Sequence, residues 1–250
     1  MTSPEKIPEL SVVIPVHNEA ENLAPLLNEI SAALDGSFDY EVVAVDDGSD
    51  DGTKERLVSL AHALPRLRVV RHAHRSGQSA ALVTGVEAAR APWIATLDGD
   101  GQNDPADIPR LVTAMRATGS ARHLGLVIGN RERRADTIIK RISSRLANRV
   151  RSRLLHDSTP DTGCGIKVFN REAFLGLPQF DHMHRFLPAL FLREGLQVES
   201  VAVSHRARRH GSSHYGLFDR LWVGIVDLIG IQWLQRRPIQ GRMRRESNGS

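Results

Sequence analysis

Two hydrophobic rhythms alternate through the first half of the chain. Short runs rich in β-branched residues, Ser11 to Pro15 (SVVIP), Glu41 to Val45 (EVVAV), Leu67 to Arg71 (LRVVR), Trp93 to Leu97 (WIATL) and Leu124 to Ile128 (LGLVI), have the length and composition of buried strands. Longer helical patterns separate them and predict helices over Ala20 to Leu34, Thr53 to Ala63, Ser79 to Ala89 and Asp107 to Arg116. This alternation predicts an α/β domain with a mostly parallel, Rossmann-like central sheet flanked by helices. Ligands of such sheets bind beyond the carboxyl ends of the strands. The polar clusters fall at those ends: Pro15 to Glu19 (PVHNE) after the first strand, Asp46 to Ser49 (DDGS) after the second, and Asp98, Gly99 and Asp100 after the fourth.

The last of these raises a question of charge. Two carboxylates one residue apart repel each other, so a positive partner is expected beside Asp98 and Asp100. A dinucleotide fold wants GxGxxG after the first strand, where this chain has PVHNEA, and the phosphate-loop pattern GxxxxGK[ST] is absent.

Composition narrows the setting. With 250 residues, 41% of them hydrophobic, the chain can bury a sizeable core. A single cysteine, Cys164, excludes an intrachain disulfide and a cysteine zinc cluster, and fits a reducing cytoplasm. The N-terminus shows no basic segment followed by a long apolar region, so no secretory leader is expected. A net charge of +4 is mild for a nucleic-acid binder, and no nucleic-acid partner is expected. The charge is uneven, however: Asn130 to Asp157 holds nine Arg or Lys against three acids, and Arg236 to Arg245 adds five arginines. Such local excess predicts an anionic partner.

Four segments in order, SVVIPVHNEAENL, VVAVDDGSDDGT, GQSAALVTGVEAA and ATLDGDGQNDP, resemble family 2 of the inverting glycosyltransferases. Within it the likeness is to dolichol-phosphate mannose synthases and bacterial polyprenyl-phosphate relatives, over roughly residues 10 to 210. The resemblance implies a glycosyltransferase A (GT-A) fold, a UDP- or GDP-linked sugar donor and Mg²⁺ or Mn²⁺. It places Asp98, Asp100 and Gln102 at the metal, and Pro15, His17, Glu19, Asp47 and Asp98 at the nucleotide. His17 stands where the family usually has Tyr. Asp50 and Asp51 are expected to cap the following helix, and Arg75 is a candidate diphosphate contact. By the same resemblance Asp100, Arg131 and Arg209 serve the reacting phosphates, and Arg209, Ser213 and His214 the acceptor, with His214 replacing the family's Lys.

The acceptor follows from acidity. A sugar hydroxyl needs a general base, whereas a lipid monophosphate arrives ionised and needs mainly positioning. Members acting on hydroxyls carry an acidic pair after the metal motif; here FDHMHRFLPAL offers Asp181, then His182, His184 and Arg185, read as a cationic cluster. The expected reaction is transfer of the sugar, with inversion, to a polyprenyl monophosphate. The rivals are a same-fold enzyme acting on a hydroxyl of a glycolipid, polysaccharide or protein, and a noncatalytic basic adaptor.

Membrane features agree. From Asp136 to Leu155, apolar Ile138, Ile142, Leu146, Val150 and Leu154 recur every four residues, flanked by Arg141, Arg145, Arg149 and Arg153. Such a helix can lie on anionic lipid or pack on the domain with a solvated basic face. Leu217 to Leu234 is the most apolar stretch but carries Asp219, Arg220 and Asp227, which suits an interfacial helix or a homodimer contact better than a span. The expected organisation is a catalytic domain over residues 1–215, this helix over 216–237 and a disordered basic tail over 238–250. The expected location is cytoplasmic, peripheral at the inner face of a membrane with an anionic surface.

Overall fold

The computed structural model describes residues 6–118, 123–131, 151–155, 157–206 and 217–237. Seven strands form one sheet: β1 (Leu10–Val16), β2 (Tyr40–Asp46), β3 (Leu67–Arg71), β4 (Trp93–Thr96), β5 (Leu124–Arg131), β6 (Lys167–Asn170) and β7 (Gln197–Val203), in the order β3-β2-β1-β4-β6-β5-β7. β1 is parallel to β2 and β4, β3 to β2, and β7 to β5; β6 alone runs against its neighbours β4 and β5.

The two-residue period of β1 builds both layers of the core. Leu10, Val12, Ile14 and Val16 join α1 (Ala20–Leu34) and α4 (Ile108–Thr118) on one face. Val13 points the other way, with Val43 and Val45, toward α3 (Gln78–Ala88), Phe169 and Phe191. The helix α2 (Thr53–Ala63) buries only Leu57 and Thr53. The expected strand at Leu67 to Arg71 and helices at Ala20 to Leu34 and Thr53 to Ala63 coincide with the observed elements, while the fifth strand runs on to Arg131.

The cap of α2 departs from expectation. Gly52 occupies the N-cap, and Asp50 instead accepts a hydrogen bond from the Asn18 side chain at 2.8 Å. Asp51 still receives the Thr53 N–H, at 3.1 Å. With Ser49 accepting from the Asn18 N–H at 3.0 Å, this turn ties the end of β2 to the end of β1.

Beyond β6 come α5 (Arg171–Leu175), α6 (Leu187–Arg193) and α7 (Leu217–Arg236). Ile231 of α7 is buried, Gln235 donates to the Leu155 carbonyl at 2.9 Å, and Arg193 donates to the Leu234 carbonyl at 3.0 Å. Val226, Ile229 and Trp233 share the outward face and are 52%, 63% and 58% exposed. No helix among the described residues is long and apolar enough to cross a membrane. Most of the arginine stripe and residues 238–250 lie outside the described residues. Of the stripe's end, residues 151–155, the helix packs through Arg151 and Leu155, and leaves Arg153 and Leu154 exposed.

Candidate active site

The strand order turns at β1: β2 and β3 extend to one side, β4 to the other. The carboxyl ends of β1 and β4 therefore lie side by side, which is where a parallel sheet opens a crevice. Pro15 lies near the end of β1 there, and His17 and Glu19 follow it. His17 Nδ1 lies 3.0 Å from the Asp47 carbonyl, and Glu19 accepts from the Asn22 amide at 2.6 Å.

Asp47 is engaged within the protein. Its carboxylate accepts from the main-chain N–H of Ser76 (2.7 Å) and Gly77 (2.8 Å), and lies 2.8 Å from His72 Nδ1. Burial raises its pKa, but these bonds from His72, Ser76 and Gly77 outweigh it and hold the carboxyl below the usual range. Asp47 thus fastens the segment from His72 to Gly77 over the Gly48 turn and has room for about one more hydrogen bond. Gly48 has φ +66°, and a Cβ there would come within 2.6 Å of the main chain of His74 and Arg75, so this turn requires glycine. Asp46 accepts from the Ser49 N–H at 3.0 Å and from Arg71 at 3.1 Å.

At the end of β4, Asp98 accepts from the Gln78 amide at 2.8 Å, and Asp100 accepts from the Gln102 N–H at 3.1 Å. Burial, then the neighbouring Asp100 charge, raise the Asp98 pKa against the opposing pull of Lys167 and Arg131. The repulsion expected from the sequence is therefore present. Among the described residues no three His, Cys, Asp or Glu side chains gather as a metal site. The main chain of Gln102 is committed to Asp100 and, through its carbonyl, to the Arg206 N–H at 3.0 Å, so only its side chain is available to a ligand.

The far wall comes from β5, β6 and the loop between them. Arg131 grips Asp161 with a two-pronged contact, Nε at 2.6 Å and Nη2 at 2.8 Å. That leaves about three of its five N–H donors for a phosphate. Lys167, 5% exposed, donates to the Cys164 carbonyl; burial lowers its pKa while Asp98 raises it. A Cβ at Gly165 would collide with the Asp98 carboxylate and the Asn103 side chain. The Thr96 hydroxyl donates to the Gly165 carbonyl at 2.7 Å, pinning that contact. A cleft of about 220 Å³ is lined by Asp98, Gly165 and Lys167, and by Gln78, Leu82, His184 and Arg185, while Arg131 and Asp161 stand outside its lining.

The cationic reading of residues 181 to 185 needs correction. Burial, with Lys167, Arg185 and His182 nearby, pushes the His184 pKa down to about 3, so the ring is neutral. His182 faces Asp181 and Asp227, at 3.6 and 3.3 Å. Arg185 carries the charge in the cleft. Lys167, Gly165, Ser79 and the neutrality of His184 escaped the sequence reading; the GxGxK spacing of Gly163, Gly165 and Lys167 was the signal available.

Arg209, Ser213 and His214 lie outside the described residues. The segment just before them is anchored beside the Asp98–Asp104 loop: His205 bridges to Asn103, the Ser204 N–H donates to Asp107 at 2.7 Å, and the Arg206 side chain reaches Glu29 at 2.7 Å and also Asp104.

Residues 11–176 match the profile of Glycosyl transferase family 2. The chain belongs to this family. It is 35% identical over 236 residues to the dodecaprenyl-phosphate galacturonate synthase of Rhizobium johnstonii, covering 91% of this chain and 68% of that protein. It is also 35% identical over 214 residues to the undecaprenyl-phosphate 4-deoxy-4-formamido-L-arabinose transferase of Aeromonas hydrophila, covering 83% of this chain and 63% of that one. The chain thus spans about two thirds of the length of these curated relatives. Among solved structures, Mycobacterium tuberculosis glucosyl-3-phosphoglycerate synthase with UDP superposes at a TM-score of 0.67 and 22% identity, over 94% of this chain and 82% of that one. The same enzyme with Mn²⁺, UDP-glucose and phosphoglyceric acid gives 0.68 at 23%, with the same coverage of both chains. The likeness is one of fold, and the family 2 chain has the GT-A architecture.

Proposed function

We propose that this family 2 glycosyltransferase moves a sugar from a UDP- or GDP-linked donor to a polyprenyl monophosphate, inverting the anomeric carbon. The observation that carries the reading is the set of ionisable groups lining the cleft: Asp98, Lys167, His184 and Arg185. With Asp98 held by Gln78 and committed to the metal in this reading, and His184 neutral, none of these is a free carboxylate base. An acceptor that arrives ionised suits such a cleft, and the names of the curated relatives agree.

Asp98 and Asp100 fit a divalent cation, because burial and mutual repulsion leave the pair in need of positive charge. With Gln102 they would hold Mg²⁺ or Mn²⁺, which when bound neutralises the charge of the leaving diphosphate. Two protein carboxylates leave coordination positions for phosphate oxygens. Pro15, His17, Glu19 and Asp47 border the nucleoside, and Arg131 offers its remaining N–H groups to phosphate. Arg209, Ser213 and His214, which follow Arg206 in the sequence, would serve the acceptor in this reading. The acceptor oxygen attacks the anomeric carbon directly, while arginine donors steady the departing diphosphate.

A lipid acceptor puts the enzyme at a membrane. The outward row Val226, Ile229 and Trp233, followed by Arg236 and Arg237, meets an anionic surface at the cytoplasmic face, with the basic segment after Asn130 adding attraction. In this reading residues 1–215 are the catalytic unit, α7 docks it and the basic tail follows. The test is incubation with Mg²⁺ or Mn²⁺, a panel of UDP- and GDP-sugars and a short-chain polyprenyl phosphate, followed by mass spectrometry. Glycosylated lipid phosphate is expected. Release of nucleoside diphosphate without it would move the assignment to a hydroxyl acceptor, with Asp181 the base to test.

A further inference from the structure

Across the sheet the ends of β2 and β1 carry Asp47 and His17, and the end of β4 carries Asp98 and Asp100. The cleft itself is lined by Asp98 and, on β6 and the turn Met183–Arg185, by Lys167, His184 and Arg185. A donor with its nucleoside over β2 and β1 and its diphosphate at β4 brings its sugar to the far side, beside His184. This layout rests on the function proposed above.

Two hydrogen bonds decide which nitrogen of His184 carries the proton. The His184 main-chain N–H donates to Ser79 Oγ at 3.4 Å, and the same Oγ lies 2.8 Å from His184 Nδ1. Ser79 is only 3% exposed, and Nδ1 is the acceptor that its hydroxyl proton meets among the described residues. Nδ1 therefore accepts, and the neutral ring keeps its proton on Nε2. Burial beside Lys167, Arg185 and His182 maintains that neutrality. Such a ring is neither cation nor base toward the cleft; it offers one directed N–H. Arg185 already supplies positive charge for phosphate, whereas a single neutral donor matches the oxygen acceptors of a sugar.

We propose that His184, with its tautomer set by Ser79, donates a hydrogen bond from Nε2 to the sugar of the donor and so helps to select it. A site that hydrogen-bonds a sugar oxygen discriminates against sugars lacking it at that position, since a buried donor is otherwise left unpaired.

The test uses the full chain labelled with ¹⁵N-histidine and long-range ¹H–¹⁵N spectra, with the His184 signals identified by their loss in His184→Gln. Expected is a bare Nδ1 and a protonated Nε2 from about pH 6 to 8, the range in which an ordinary histidine titrates. Protonation at Nδ1 would overturn the tautomer. Mg²⁺ with UDP or GDP is then compared with Mg²⁺ and UDP-glucose, UDP-galacturonic acid or GDP-mannose. The His184 Nε2 signal is expected to move with a sugar nucleotide and not with its parent diphosphate. An equal shift with the diphosphate alone, or a response of His17 and His72 to sugar nucleotides while His184 stays still, overturns the proposal. If no histidine responds to any nucleotide, the donor reading itself fails and takes this proposal with it. In affinity measurements His184→Leu is expected to lose roughly tenfold for the sugar nucleotide with diphosphate affinity unchanged, and His184→Gln, which keeps an N–H donor, to recover most of it. Equal weakening of both ligands would make the role structural.

Discussion

Gly165 shows how tightly single residues set this site. Because a Cβ there collides with the Asp98 carboxylate and with Asn103, Gly165→Ala must displace that carboxylate or the loop. A displacement near 1 Å costs on the order of 10²-fold in turnover, so kcat is expected to fall by about that much while the far-ultraviolet circular dichroism stays unchanged. Asp100→Ala removes a carboxylate outright and should reduce turnover by on the order of 10³-fold or more, again with the fold intact. His184 makes a prediction about stability. Its pKa is about 3 when folded, against about 6.5 unfolded, so between those values the unfolded chain holds the proton that the folded ring refuses. This contribution is complete above about pH 6.5 and lost as pH falls toward 3. By pH 5 the loss is at most about 2 kcal/mol, and less where cleft water screens the ring. Urea titrations at several pH values check it, and His184→Gln should flatten that part of the profile.

At the scale of elements, the chemistry sits at one end of the strands and much of the polar reinforcement at the other. Glu41, the second residue of β2, is 1% exposed and accepts from the Ser11 hydroxyl (2.7 Å), the Arg90 N–H (2.7 Å), Arg90 Nε (3.0 Å) and Arg68 (3.1 Å). Burial raises its pKa, but these bonds prevail and hold it low. Glu41→Ala removes the shared acceptor of a buried hydroxyl, a main-chain N–H and two partly exposed guanidinium groups, so a loss of about 1–3 kcal/mol in urea unfolding is expected, with nucleotide affinity per folded molecule unchanged. The strands flanking this network were legible because β-branched runs between helical patterns have few other ways to fold. β6 was not: four residues that include a buried lysine carry no hydrophobic period, and only the antiparallel pairing with β4 and β5 makes Lys167 a strand residue. The site divides the same way. Asp98, Asp100 and Arg131 announce themselves at strand ends, but the grip of Arg131 on Asp161 and the neutrality of His184 depend on contacts over 30 and 105 residues of chain, which no local pattern encodes.

The whole molecule presents a polarity that its parts do not. The outward row of α7 leaves three large apolar residues in water, spaced by three and four positions so that they share one helical face, and Arg237 lies 5.9 Å from the Trp233 ring. A tryptophan flanked by arginines is the side-chain pairing that interfacial helices use, with the ring at headgroup depth and the cation toward lipid phosphate. Attraction to such a surface has two separable parts: apolar burial, indifferent to salt, and charge, which salt screens within about 10 Å at 0.1 M. Co-sedimentation with phosphatidylglycerol vesicles should therefore exceed that with phosphatidylcholine and weaken as salt rises. Trp233→Ser combined with Ile229→Ser should cut binding to the anionic vesicles by roughly tenfold at every salt concentration, because two exposed apolar side chains contribute about 1–2 kcal/mol when only partly inserted. Arg236→Gln with Arg237→Gln should instead lower binding mainly at low salt. Release of nucleoside diphosphate in detergent should be unchanged in both, since neither pair lines the cleft. If the double serine variant binds vesicles as well as the parent and sediments as a smaller particle, the row is a contact between two copies and the lipid must be met by another face.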